Sequence, residues 1–191
     1  MKKITILAAI VLLFSGCAIQ RALNMVNLQY QMGDIVNINW AGINLSKVKS
    51  VNDLSVADAA KAAAAIARKD FTITCNMNVI ARNKTSQPAA LGGFDYELQL
   101  DGKKLIDGSN PKINLSIPPN GTQQIIPIPM RIDIREVLQA ETLESFLNLV
   151  GQLTNYGIGN PSKVALKFRP YVKIADRNIK MSYITLNKTF Q

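Results

Sequence analysis

The residues with chemistry to offer are few, and their spacing narrows them further. The chain has 191 residues and no histidine. That removes Ser-His-Asp and Cys-His nucleophilic chemistry, histidine metal sites and histidine proton shuttles together. Cys75 lies on the apolar side of an alternating run, where a thiol is expected to be buried and inert. Ser46-Lys47-Val48-Lys49 has the S-x-x-K spacing in which a lysine takes the proton of an acylating serine, but the companion S-D-N and K-T-G elements are missing. "GIGNPS" at 157–162 begins like a glycine-rich phosphate loop, yet it lacks the third glycine and the preceding strand, and it reads as a helix-to-strand loop. Asp95, Glu97 and Asp101 project from one strand and could gather a hard cation through oxygen ligands, although strand carboxylates facing out are ordinarily just solvated. The expectation is a protein with no catalytic residues, no metal site and no cofactor.

One basic stripe stands out. The polar side of the segment at 163–173 carries Lys163, Lys167, Arg169 and Lys173, with Tyr171 interleaved. Such a stripe is suited to anionic lipid head groups or polysaccharide, and the alternative is a solvated face that keeps a basic protein soluble. The net charge of +9 agrees with either.

The second cysteine sits in a different context. Lys2 and Lys3 precede the mostly apolar Ile4 to Phe14, and Ser15-Gly16 bring small residues up to Cys17, a signal-peptide layout. A spanning helix needs about 20 apolar residues, and Gln20 and Arg21 end this run too early. "FSGC" resembles the lipobox of bacterial lipoproteins, in which the cysteine is acylated and becomes the mature N-terminus. The resemblance implies that residues 1–16 are removed and that Cys17 carries acyl chains. Two or more chains, at about 0.8 kcal/mol per buried methylene, hold a protein stably on a membrane. Ala18 stands where an Asp would retain such a protein at the inner membrane, so the outer membrane is the expected address. Loss of Lys2 and Lys3 lowers the charge from +9 to +7. Nucleic acid is not an expected partner in that compartment.

The elements that position these residues are mostly strands. "FTITCNMNVIA" at 71–81 alternates strictly, and "FDYELQL" repeats the pattern with Phe94, Tyr96, Leu98 and Leu100 inward before an Asp101-Gly102 hairpin turn into "KKLID". "KINLSI" and the "PPNG" turn at 118–121 follow. In "QIIPIPMRIDI" the prolines Pro127 and Pro129 share the polar side, which predicts an edge strand. "KVALKFRPYVKI" and "IKMSYITLNKTF" close the chain, with a bulge expected where the apolar side switches near Tyr183-Ile184. Two segments read as helices: "SVADAAKAAAAIARKD", opened by a capping box at Ser55 and Asp58, and "ETLESFLNLVGQL", with one apolar stripe. "MVNLQYQ" and "IVNINWAGINLSKVKS" read as an added hairpin or strand pair upstream.

This order of short strands predicts a mainly β chain, an immunoglobulin/fibronectin-like antiparallel β-sandwich with two accessory helices. The expected organisation is a signal peptide at 1–16, an anchored segment with hairpin and helix at 17–69, and the sandwich at 70–191, forming one globular unit with 25–69. "NVIARN", then "FDYELQLDGKKLIDGSNPKINLSIPPNGTQQIIPIPMRIDI" and a closing basic strand resemble the late-embryogenesis-abundant group 2 family, also called the water-stress and hypersensitive-response domain. The similarity covers about residues 70–175. Where the family has Asn-Pro-Asn, this chain has Asn83-Lys84-Thr85. The resemblance implies a sandwich with a stress-related or envelope role and no enzymatic site. The expected function is therefore a lipid-anchored binding or structural module that meets an envelope protein, anionic lipid or polysaccharide. The alternative is a carrier that holds a lipid or other apolar ligand between its sheets.

Overall fold

The computed structural model describes residues 20, 24–46, 48, 50–135, 147, 150–151, 162–174 and 177–190. The apolar run and Cys17 lie outside the described residues, as does most of the expected second helix, of which Leu147, Val150 and Gly151 are helical and buried.

Alternating inward positions build two antiparallel sheets. The first has the order β2 (Ile43–Asn44), β1 (Leu28–Trp40), β3 (Thr72–Asn83), β8 (Gln123–Asp133). In β3, Ile73, Cys75, Met77, Val79 and Ala81 are buried, as the period-2 pattern requires. β8 buries Ile126, Ile128, Met130 and Ile132 and exposes Pro127 and Pro129. Its place on the sheet edge lets the missing proline N–H groups face away from β3.

The second sheet runs β6 (Lys103–Asn110), β5 (Gly93–Leu100), β9 (Ser162–Ile174), and the far edge of β9 is shared in series by β10 (Arg177–Lys180) and β11 (Ile184–Phe190). Residues 181–183 belong to neither strand, so the side switch in the sequence is a break in one edge. β5 and β6 are joined by Asp101 and Gly102 with φ of 48° and 80°, a primed hairpin turn in which glycine carries the larger positive φ without strain. β4 (Ala89–Leu91) and β7 (Leu115–Ile117) form a separate small ladder, so only the end of "KINLSI" is strand.

The upstream segment differs from expectation. Residues 28–40 form one long strand paired to β3 along most of its length, with register shifts after Met32 and Val36, and only its end turns back as a hairpin to β2. Gln31 and Asp34 are exposed positions of this continuous strand. Trp40 is buried at its end and donates Nε1–H to the Asp70 carbonyl at 2.7 Å. Helix α1 (Val56–Ala67) is capped by Ser55, whose Oγ accepts the Asp58 N–H at 3.1 Å, as the capping box predicts. It buries only Ala62 and Ala65.

The two sheets meet through aromatic rings. Tyr30 of β1 packs on Phe168 of β9 at 5.3 Å between centroids, and Phe168 packs on Phe94 of β5 at 5.2 Å. Burial pushes the Tyr30 phenol well above its ordinary pKa. Phe94, Leu98, Leu166 and Phe168 from this sheet and Met77, Val79, Ile126 and Ile128 from the other are all fully buried. Interdigitated inner faces of this kind define the sandwich architecture.

Candidate functional site

The register of β5 and β9 sets Asp95 opposite Arg169 and Glu97 opposite Lys167. The acidic row and the basic stripe, separate in the sequence, are therefore one another's partners. Asp95, only 8% exposed, accepts from Arg169 Nε at 2.8 Å and again from Arg169 Nη2. Lys180 of β10 adds a third contact to the same oxygen at 3.1 Å. Glu97 accepts from Lys167 Nζ at 3.0 Å and from Gln99 Nε2 at 2.6 Å. The Lys167 and Gln99 bonds hold the Glu97 carboxyl below its ordinary pKa, and the Asp95 hydrogen bond raises that of Arg169. Asp101 sits apart in the turn, where its Oδ1 accepts the Lys163 N–H at 2.9 Å.

Two rings cover this network. The Arg169 guanidinium stacks on Tyr183 at 4.5 Å, and Lys180 Nζ lies 4.9 Å from the Tyr171 ring centre. Tyr171, read from the sequence as interleaved on the polar stripe, is 2% exposed beneath Lys180. Lys163 is exposed at the other end of the strand, and Lys173 is placed by its backbone alone, opposite Asn178. Lys167 and Arg169 in the middle of the stripe are thus paired with carboxylates, and Tyr171 is buried.

Truncating the hub should be costly. Asp95→Ala leaves Arg169 and Lys180 side by side without their shared acceptor, and the expected loss is about 2 kcal/mol of stability. Glu97→Gln, which alters a more exposed pair, should change stability by less than about 0.5 kcal/mol. Chemical denaturation of the two variants checks this, and equal effects would show that Asp95 is not a hub.

The remaining reactive groups are also committed. Cys75 is a free, buried thiol whose pKa is pushed up to about 12 by desolvation, which removes it as a nucleophile at neutral pH. The Ser46 N–H donates to Asn44 Oδ1 at 2.9 Å, while Lys49 lies outside the described residues, as do residues 157–161 of "GIGNPS". Among the described residues no three side chains of metal-binding type converge, and no helix is long and apolar enough to cross a membrane.

Asn83, marked in the sequence only as the start of Asn83-Lys84-Thr85, has a structural role that sequence reasoning did not assign. It is fully buried, donates Nδ2–H to the carbonyls of Gln87 at 2.9 Å and Ile117 at 3.1 Å, and accepts the Thr85 N–H at 3.0 Å and the Thr85 hydroxyl at 2.8 Å. The signal for it was the Asn-x-Thr spacing at a strand end, an Asx-turn pattern. A groove of about 500 Å³ runs nearby, lined by Gln29, Tyr30, Gln31, Ile80, Arg82 and Gln123. A second, of about 310 Å³, shares Gln31 and Ile80 and reaches Ile125 and Lys188. The first takes its lining from β1, β3 and β8, Tyr30 included, and the second also takes in buried Met32 of β1 and Asn187 and Lys188 of β11 in the other sheet.

These ladders define the class of the protein, a mainly β, antiparallel sandwich. No family model matches the chain, and no curated protein does. Several solved structures are similar to it, two of them as follows. One is the crystal structure of a protein from Archaeoglobus fulgidus, with 17% identity and a TM-score of 0.36 over 62% of this chain and 84% of that one. The other is the solution structure of a candidate late embryogenesis abundant (LEA) protein, with 11% identity and a TM-score of 0.42 over 98% of this chain and 84% of that one.

Proposed function

We propose that this chain is a non-enzymatic β-sandwich of the bacterial envelope, tethered to the outer membrane through acylated Cys17 and acting as a binding or structural module. One observation carries the non-catalytic part of the reading. The densest set of ionisable side chains among the described residues is an internal cross-strand network, Asp95 with Arg169 and Lys180, and Glu97 with Lys167. Charges paired in this way hold strands in register, and none of these five groups is left as a free acid or base. The "FSGC" motif supports the anchor, and the resemblance to the late-embryogenesis-abundant group 2 domain supports a role in envelope stress.

The anchor is tested in cells fed an alkyne analogue of palmitate. Wild-type chain should take up the label and sediment with outer membranes, whereas Cys17→Ser should do neither. Unlabelled wild-type chain, or a Cys17→Ser chain that remains labelled, would overturn the reading.

A further inference from the structure

The N-terminal end of β1 marks one pole of the sandwich. Leu28 pairs with Asn83 and Gln29 with Arg82, and buried Asn24 donates Nδ2–H to the Pro88 carbonyl at 3.3 Å. Arg82 Nε donates to the Gly121 carbonyl at 3.2 Å and the Asn120 N–H to the Thr85 carbonyl at 2.8 Å, so Arg82, Lys84 and the turn at 118–121 share this pole. The separate strand β4 leads from Pro88 to Gly92, whose N–H bonds the Tyr171 carbonyl of the second sheet at 2.9 Å. Asn178 of β10 in turn donates to the Pro111 carbonyl at 3.3 Å. That brings Lys112, Arg177 and Lys180 to the same end.

All five of these cations are exposed, and they stand beside two aliphatic side chains left in solvent, Val26 at 64% and Ile179 at 51%. The carboxylate nearest this end among the described residues is Asp95, already held by Arg169 and Lys180. Asp70, Asp101 and Asp133 lie at the opposite pole. Asp133 pairs with Thr72 at the start of β3, Asp70 caps the Trp40 indole, and Asp101 follows the end of β5. Among the described residues, then, this pole carries cations with a single carboxylate near it, whereas the cations at the other pole, Lys103, Arg131 and Lys163, stand among Asp70, Asp101 and Asp133.

We infer that this cationic pole is a contact surface for an anionic phospholipid bilayer, with Arg82, Lys84, Lys112 and Arg177 against the phosphates and Val26 and Ile179 at the head-group boundary. The orientation rests on the tether proposed above. The chain from Cys17 to Asn24 reaches at most about 25 Å, so an anchored protein holds this pole, and not the other, next to the membrane. The lipid surface potential falls off within about one Debye length, and each cation brought that close adds about five-fold in affinity. The basic stripe read along β9 is replaced by a surface at the strand ends, because Lys167 and Arg169 are committed to carboxylates.

The test uses the chain from residue 17 with Cys17→Ser, which retains every described element, and phosphatidylcholine vesicles with and without phosphatidylglycerol. Binding should require phosphatidylglycerol and fall with added salt. Arg82→Glu/Lys84→Glu/Arg177→Glu should lower it by about a hundred-fold or more. Lys103→Glu/Arg131→Glu/Lys163→Glu, with the same change in net charge at the other pole, should leave most of it. Equal losses in the two variants would mean that only net charge matters, and wild-type chain that ignores phosphatidylglycerol would mean there is no such surface; either overturns the inference. Should the triple variant melt early, the exposed single reversals Lys84→Glu and Arg177→Glu decide the question, each with a loss of at least about five-fold expected. Acylation is absent throughout, so a negative result here leaves the labelling experiment on Cys17 standing, and the reverse also holds.

Discussion

Phe168→Ala should be the most damaging single truncation, costing about 4 kcal/mol. Phe168 is fully buried and is the ring on which both Tyr30 from the facing sheet and Phe94 from its own sheet rest, at 5.3 and 5.2 Å. Its removal takes away the transfer energy of a large side chain and two ring contacts, and it opens a void between two hydrogen-bonded sheets. Backbones fixed by ladders on both sides cannot collapse readily into that void, which places the cost near the top of the range for such substitutions. In a chain of this size the melting temperature should drop by about 10 °C or more. Thermal and urea unfolding monitored at Trp40 provide the measurement. A loss below about 1 kcal/mol would mean that the interior yields easily, as the interior of a carrier for apolar ligands would, and would revive that reading against the one proposed here.

Gly93→Ala should cost about 3 kcal/mol for a different reason. A Cβ on Gly93 would lie 2.6 Å from the Asn110 carbonyl oxygen and 2.8 Å from the Cα of Pro111. Both are backbone atoms, so no side chain can turn away to make room. On its other side Gly93 is paired with Tyr171 of β9, so β5 cannot shift outward without breaking that ladder. The predicted result is a destabilised protein in which the start of β5 and the Pro111 crossing loosen first, seen as faster amide exchange at Phe94 and Tyr96 than at Leu98. A variant with wild-type stability and exchange would show that the crossing at Pro111 is slack.

The strands were legible where one physical rule acted alone. The alternation in "FTITCNMNVIA" and "QIIPIPMRIDI" maps onto the buried sides of β3 and β8, and the paired prolines announced an edge because a residue without an N–H cannot sit between two strands. The Asp101-Gly102 turn and the Ser55 cap were equally visible, being local hydrogen-bonding or φ requirements. The upstream hairpin was misread because β1 carries two register shifts, and a bulge interrupts the period of two without ending the strand.

The candidate site was legible in its members and not in their relations. Asp95, Glu97, Lys167 and Arg169 were all named from the sequence, as a carboxylate cluster and as a cationic stripe. Those labels describe isolated strands, and charge patterning along one strand carries no information about the strand beside it. More than sixty residues of chain separate β5 from β9, and their register is chosen by the burial of Phe94, Leu98, Leu166 and Phe168 on the opposite side of the sheet. Side-chain period two then leaves the polar residues no choice of partner.

By itself, then, the sequence determined most of the strands, the Ser55 cap, the Asp101-Gly102 turn, the β8 edge and a basic overall charge. These follow from periodicities and residue chemistries that act within a few positions. Only the tertiary structure decided which charges are spent and which remain available. It paired Lys167 and Arg169 of β9 with carboxylates and gathered Arg82, Lys84, Lys112 and Arg177 from three separate stretches of chain onto the end where β1 begins. Electrostatics acts through space over distances that sheet packing sets, and no local pattern in the chain encodes those distances.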